Sequence, residues 1–484
     1  MDITDSPASS SNIQPQLPQP IPTIILPQQQ RLKRDHDSIS EEEEISSSPD
    51  PQNNNAGGKS RKKRGPFQDP EQQRETGLTR KLKACIRCSL QRIRCLVDPK
   101  APNGCCRTCL EVARTRLHWL PCLRYRITDA QVLDHGICPR PTWTTRWKKM
   151  EIIEIKEWAS KKIKTVRITQ DVAGLSYELK VRQFVPVEGD SLARKWKTKG
   201  IEQEYECTPW AMANMREAGR TLAQFVDRSL GDAVCFYVDE SDRLLRNTYL
   251  MAYRYSLFAE REEERLLLRA VLRLWCASRM ETRSDRICGE ETLGMQPRHY
   301  EPPCANDGLI LTSPVFSAQM EVVMTSLLLQ PAKKEVLKRL KDLVMENQRR
   351  SWFAIYLTMF ILLHSCSLLT AADNKKARKQ GLEHRFFRLS LVEELHNGAK
   401  VLLAYFHHCN KGGHPFTMDW SSEDQMVRGE LNKEQAQFMR ETAEQLKAKG
   451  MLFSNGVRKE GKFEHDYYFI SQLYDFEWKP FHTV

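Results

Sequence analysis

No glycine-rich phosphate loop, no His-Glu-x-x-His pair and no Gly-x-Ser-x-Gly elbow occurs in the 484 residues. The common nucleotide, zinc-protease and serine-hydrolase chemistries are left without their machinery, so no enzymatic activity is expected. The opening stretch, MDITDSPASSSNIQPQLPQP, has no basic region followed by an apolar one. A secretory leader is therefore not expected, and a reducing compartment is. Acidic residues are scarce between Lys59 and Lys149: 7 against 22 Lys and Arg, a local charge of +15 in a chain of net charge +12. The rest of the chain is then −3, and the positive footprint of a polyanion binder is confined to one short region. Charge is missing altogether from Ser351–Ala372, SWFAIYLTMFILLHSCSLLTAA, which is about the length of a membrane span. His364 and several Ser and Thr interrupt that run, no second one accompanies it, and its neighbours read as soluble amphipathic helices. A buried core helix is expected there, with no membrane partner.

What is present in excess is cysteine in one place. Eight of the 15 cysteines lie between Cys85 and Cys138. The stretch KACIRCSLQRIRC spaces three of them as Cys85-x2-Cys88-x6-Cys95, and Cys106-x2-Cys109 and then Cys122 follow. Outside a secretory route, clustered C-x2-C pairs read as metal ligands rather than disulfides. A closed structural zinc site takes four ligands. Two independent sites need eight; six thiolates suffice if two of them bridge both ions. The count favours one shared binuclear cluster.

These residues resemble the fungal Zn(II)2Cys6 binuclear-cluster transcription factors, whose pattern is C-x2-C-x6-C, a loop, C-x2-C and a final cysteine. The resemblance covers about 40 residues and implies two zinc ions held by Cys85, Cys88, Cys95, Cys106, Cys109 and Cys122, with Cys85 and Cys106 bridging. The last spacing, twelve residues, is longer than the family's, which leaves His118 or Cys138 as alternatives to Cys122. Cys105 beside Cys106 offers a second register, but the x2 step to Cys109 favours Cys106. The resemblance also implies that Arg92 reads a CGG-like triplet in the major groove, where arginine can grip guanine O6 and N7 together. Arg94, Arg87, Arg107, Arg80, Lys81 and Lys83 become candidates for phosphate contacts. Ser89 and Gln91 stand where the family commonly has basic residues. A zinc module that binds protein, as in ubiquitin-ligase-like adaptors, is the rival reading; His118 and His135 could serve such a module, and the local charge favours DNA.

Elsewhere the chain divides by composition and period. Residues 1–58, rich in Pro, Gln, Ser and Asn, with an acidic run Glu41–Glu44 and few aromatics, are expected to be disordered. Residues 59–83 form a basic linker in which KSRKKRG (Lys59–Gly65) resembles a nuclear-import signal, with RLKR at Arg31–Arg34 as a second basic element. Residues 84–126 form the zinc module and 127–200 a second linker. Ile152, Ile155, Ala159 and Ile163 share a helical face for about two heptads. Alternation then predicts a β-hairpin from Lys164 to about Phe184. Beyond residue 201 an α-helical domain is expected, for regulation or oligomerisation. Thr208 and Pro209 read as a helix start, and helices are expected near 241–258, 262–280, 315–346, 350–371, 386–408 and 432–449, the last stopped by Gly450. Cys207, Cys235, Cys276, Cys366 and Cys409 read as buried core thiols. The group His407, His408, Cys409 and His414 reads as a helix end ahead of a Gly-Gly stop rather than as a metal site.

The expected fold class is thus a small Zn2Cys6 domain plus a mainly α-helical C-terminal domain, joined by a short β-hairpin and preceded by a disordered N-terminus. The expected role is a nuclear, sequence-specific transcription factor. Its expected partners are double-stranded DNA, the transcription machinery and, in a dimeric form, a second copy of the chain.

Overall fold

A computed structural model describes residues 69–112, 120–134, 143–410, 415–451 and 456–480. All of them fall in one unit that begins at Phe67. The expectations for residues 1–58, for both basic clusters and for His118, His135, Cys138 and His414 lie outside the described residues.

The cysteine-rich part opens with helix α1 (Pro70–Leu82), where a plain linker was expected. Asp69 caps it by accepting from Glu71 N, and Pro70 occupies the first position. Pro tolerates that position because the amide it lacks would have no helical partner. Two short helices follow, α2 (Ile86–Leu90) and α3 (Arg107–Val112).

A five-stranded antiparallel sheet comes next, in the order β5-β2-β1-β6-β7. Its strands are β1 (Trp158–Thr169), β2 (Ser176–Phe184), β5 (Trp210–Met212), β6 (Arg286–Cys288) and β7 (Ile310–Leu311). The expected hairpin is its centre, with Val166 opposite Leu179 and Ile168 opposite Tyr177. All four of these side chains are buried, and the residues between them face out. The helical face suggested for Ile152–Ile163 does not form: Ile155 is buried and Ile163, inside β1, is exposed. β-branched residues on a half-buried pleated surface override a two-heptad pattern. The helix start suggested at Thr208 is corrected too. Thr208 leads into β5, and helix α4 (Met215–Tyr237) starts after Asn214, whose side chain accepts from Glu217 N at 2.7 Å. A second hairpin, β3 (Ala193–Thr198) with β4 (Ile201–Glu206), was not read from the sequence. Its ion pairs Lys195–Glu204 and Lys197–Glu202 lie on an exposed face, so it carries little apolar signal.

The helical body contains α4, α5 (Arg243–Phe258), α6 (Glu262–Glu281), α7 (Pro314–Val323), α8 (Gln330–Glu346), α9 (Trp352–Lys379), α10 (Leu389–Cys409), α11 (Glu423–Gly429), α12 (Lys433–Met451) and α13 (Tyr467–Ile470). The helix expected at 315–346 is interrupted by a π-helical turn, Met324–Leu329, just ahead of Pro331. Proline has no amide to give the preceding turn, and a π turn absorbs the mismatch. Helix α9 is the charge-free run. It is long and apolar enough to cross a membrane, yet 83% of its apolar window is buried inside the fold. Every residue from Phe353 to Ser367 is buried, which takes in its whole circumference, and His364 Nδ1 lies 2.7 Å from Tyr249 Oη. A helix apolar on all sides belongs at the centre of such a body. Helix α12 runs through Gly450 instead of stopping at it. Cys207, Cys276 and Cys366 are core thiols as expected, whereas Cys235 is exposed and Cys409 half-buried.

Candidate metal centre and nucleic-acid interface

Two similar half-turns build the cysteine centre. Cys85 caps α2 with its sulfur, which accepts from Cys88 N at 3.4 Å; Cys106 Sγ accepts from Cys109 N at 3.3 Å. Cys85 N donates to Cys95 Sγ at 3.5 Å, and Cys106 N donates to Cys122 Sγ at 3.4 Å. The halves Cys85/Cys88/Cys95 and Cys106/Cys109/Cys122 thus repeat one hydrogen-bond pattern. They bring six sulfurs into two groups of four, Cys85/Cys88/Cys95/Cys106 and Cys85/Cys106/Cys109/Cys122. Cys85 and Cys106 belong to both.

The spacings test what such a centre accepts. Sγ of Cys85 lies 4.0 Å from that of Cys106 and 3.7 Å from that of Cys109, and Cys88 Sγ lies 3.9 Å from Cys106 Sγ. A disulfide needs about 2.05 Å. The edge of a tetrahedron of sulfurs about 2.3 Å from a central ion is ~3.8 Å. The arrangement has the size of two tetrahedra sharing an edge, and the donors suit a soft or borderline divalent ion.

Charge gives a second test. Six thiolates carry six negative charges and two divalent ions carry four positive ones, a deficit of two. Two guanidinium groups reach the sulfurs: Arg87 NH1 donates to Cys109 Sγ at 3.7 Å, and Arg124 NH1 donates to Cys95 Sγ at 3.4 Å. Arg124, which sequence reasoning missed, also donates to Lys83 O at 3.0 Å. It follows Cys122 by two residues, and no spacing rule marks it. The Cys106 thiol draws Cys122 down to about 7, whereas burial pushes the neighbouring Cys105 up to about 12. Cys105 belongs to neither group of four and keeps its proton.

The basic candidates fare differently. Arg87 is buried against sulfur, which takes it away from any phosphate. Arg80 and Lys81 are exposed in the last turn of α1. Lys83 pairs with Asp129 at 2.6 Å. Arg94 and Arg107 converge on Glu75, which ties α1 to both halves of the centre. Thr79 Oγ1 adds a hydrogen bond to Cys95 O at 2.8 Å. These are exposed pairs, weak enough to exchange a carboxylate for another anion. Arg92 is exposed, has φ 55°, and donates through NH2 to Met345 O at the end of α8, 3.4 Å away.

The centre is docked on the helical body. Ile86 and Leu90 of α2 are buried in the same apolar cluster as α10, and Ile86 N donates to Leu123 O at 2.8 Å. Behind Cys122, Tyr405 Oη of α10 donates to Tyr125 O at 2.8 Å. Gly398 lets Gln131 cross α10 closely: a Cβ there would lie 1.9 Å from Gln131 O. Arg388 joins Asp134 to the buried Asp373.

The histidine group ends α10 as expected. His407 is buried, stacks on Trp478 and meets Gln472 O at 2.8 Å, and burial lowers its pKa to about 4. It is a neutral core residue.

A profile of KpeA transcription factors matches residues 137–473, some 70% of the chain. The chain belongs to the KpeA transcription factor family. The matched span covers the sheet and most of the helical body and starts beyond Cys122, so the KpeA assignment rests on the body and not on the cysteines. The KpeA-family chain is also 23% identical over 379 residues to a protein of Stachybotrys chartarum named as the satratoxin biosynthesis SC3 cluster transcription factor SAT20. That alignment takes in 74% of this chain, which spans about half the length of the curated relative it matches. No solved structure matches the chain.

Proposed function

We propose that this protein is a nuclear transcription regulator that binds DNA sequence-specifically through a Zn2Cys6 cluster. The observation that carries the reading is the pair of four-sulfur groups sharing Cys85 and Cys106, at tetrahedral-edge separations and with Arg87 and Arg124 against the sulfurs. One zinc ion takes Cys85, Cys88, Cys95 and Cys106; the other takes Cys85, Cys106, Cys109 and Cys122. The zinc supplies no reaction. It fixes α2, α3 and the loop between them, which folded without metal would have only sulfurs for a centre.

Arg92 is assigned to base reading on a CGG-like triplet, and Arg80, Lys81, Lys83, Arg94 and Arg107 to phosphates. The surface ion pairs of the last three are exchangeable for phosphate, which offers the same charge and more acceptors. The domain plan stands as part of the proposal: cysteine module at 84–126, helical regulatory region from 201, and a nuclear-import cluster at Lys59–Gly65. A dimer on two half-sites is compatible with it.

The test is site selection with the purified full chain from a random duplex pool, with metal analysis of the same sample. Two zinc ions per chain and enrichment of CGG-like triplets are expected. Arg92→Ala should abolish the preference between sites while retaining salt-sensitive affinity for any duplex, a loss of about 1–3 kcal/mol of discrimination. Equal loss on all sequences would make Arg92 a phosphate contact.

A further inference from the structure

A cavity of about 810 Å³ opens between the last turn of α8, the start of α9, the end of α10 and the segment 415–429. Trp352 forms its apolar wall, backed by the buried Trp420 stacked on it at 5.8 Å and 17°, with Met418 and Ile355 beside them. Its charged lining is of one sign. Several backbone acceptors around it are already used: Val344 O by Asn347 N, Met345 O by Arg92, Gly429 O by Trp352 Nε1, Pro415 O by Trp420 Nε1, and Arg428 O by Arg349 NH1. Donors are left over. Among the described residues Arg428 has no carboxylate partner, Arg349 spends one N–H on a carbonyl, and no Asp or Glu lines the cavity. Gln425 accepts through its Oε1 from Asp419 N and keeps its Nε2 for another partner.

We propose that this cavity binds a small amphipathic anion. Its flat apolar body lies against Trp352, and its carboxylate accepts hydrogen bonds from Arg349 and Arg428. An apolar pocket with a few convergent polar groups is the usual form of a small-molecule site. Arginine beside indole selects a planar body bearing a negative end. A neutral ligand of equal shape would leave both guanidinium groups unmatched.

The full chain should be titrated with pyrene-1-carboxylate and, as the neutral control of the same shape, pyrene-1-carboxamide, followed by pyrene fluorescence and calorimetry. Saturable one-to-one binding of the carboxylate is expected, with the carboxamide weaker by about tenfold or more. Arg428→Gln and Arg349→Gln should each weaken the carboxylate by about tenfold and leave the carboxamide unchanged. Both arginines are exposed, so neither variant removes core packing. Arg350→Gln, outside the cavity lining, should change nothing. Equal binding of the two probes, no saturable binding of the carboxylate, or indifference to both arginine substitutions would overturn the proposal.

Discussion

The cysteine module and the helical body solve the same problem with different interiors. Between Cys85 and Cys122 the buried centre is sulfur, and among the described residues Ile86, Leu90 and Leu120 reach the apolar core. In the body the centre is hydrocarbon, with α9 buried on every side. About 40 residues cannot bury enough apolar surface to hold themselves together, so ligation has to replace it. The body has area to spare. One part should therefore fail by losing metal and the other by losing packing, and each should survive the other's failure.

The strongest way to break this contrast is Cys85→Ser, which removes a sulfur common to both groups of four. Zinc content should fall from two per chain to one or none, and amide-exchange protection should vanish over residues 84–112 while α9 stays protected. Common loss of protection in both would show that the body depends on the metal. The reciprocal change is Phe360→Ala, which empties a fully buried position. It should lower the body's unfolding free energy by about 3–5 kcal/mol in denaturant titrations and leave metal stoichiometry intact. Gly398→Ala sharpens the contrast at the seam. Its Cβ meets backbone rather than a movable side chain, so a cost of roughly 1–3 kcal/mol is expected, with raised exchange at residues 130–134 before any other part of the body. The smallest effect belongs to Glu281, which accepts from Thr325 Oγ1 at 3.1 Å. Burial first, and then Asp134, push its carboxyl up to about 7. A raised folded-state value means that its contribution is fully present below the ordinary carboxyl range and is lost as pH rises through 7. Glu281→Gln should flatten stability against pH in that window, read from denaturant titrations run as a pH series.

The two interiors were unequally legible. The proposed cysteine ligands stand out because coordination chemistry permits few spacings, and Cys85-x2-Cys88-x6-Cys95 is one of them. Most of the body's helices were legible because a buried stripe has a period, and α9 because it has no stripe at all. What escaped was whatever depends on partners distant in sequence. Arg87 has the look of a surface arginine until α3 brings Cys109 beside it. Arg124 bears no mark of its role. The strands β5, β6 and β7 are two or three residues long, too short to show a period, and exist only because β2, β1 and β6 in turn offer them edges. Thr208 and Pro209 carry local helix chemistry, yet the segment is claimed by the edge of β2.

Arg92 is attached to α8 by a bond that a base would have to replace. A guanidinium shared with the carbonyl of Met345 meets a duplex only by exchanging one acceptor for another, so the free energy of recognition is the difference between two bonds and not the whole of one. Under the proposed DNA reading, a duplex without a better acceptor would leave Arg92 on Met345 O, so the exchange lowers the grip on the best site and narrows its lead over the worst.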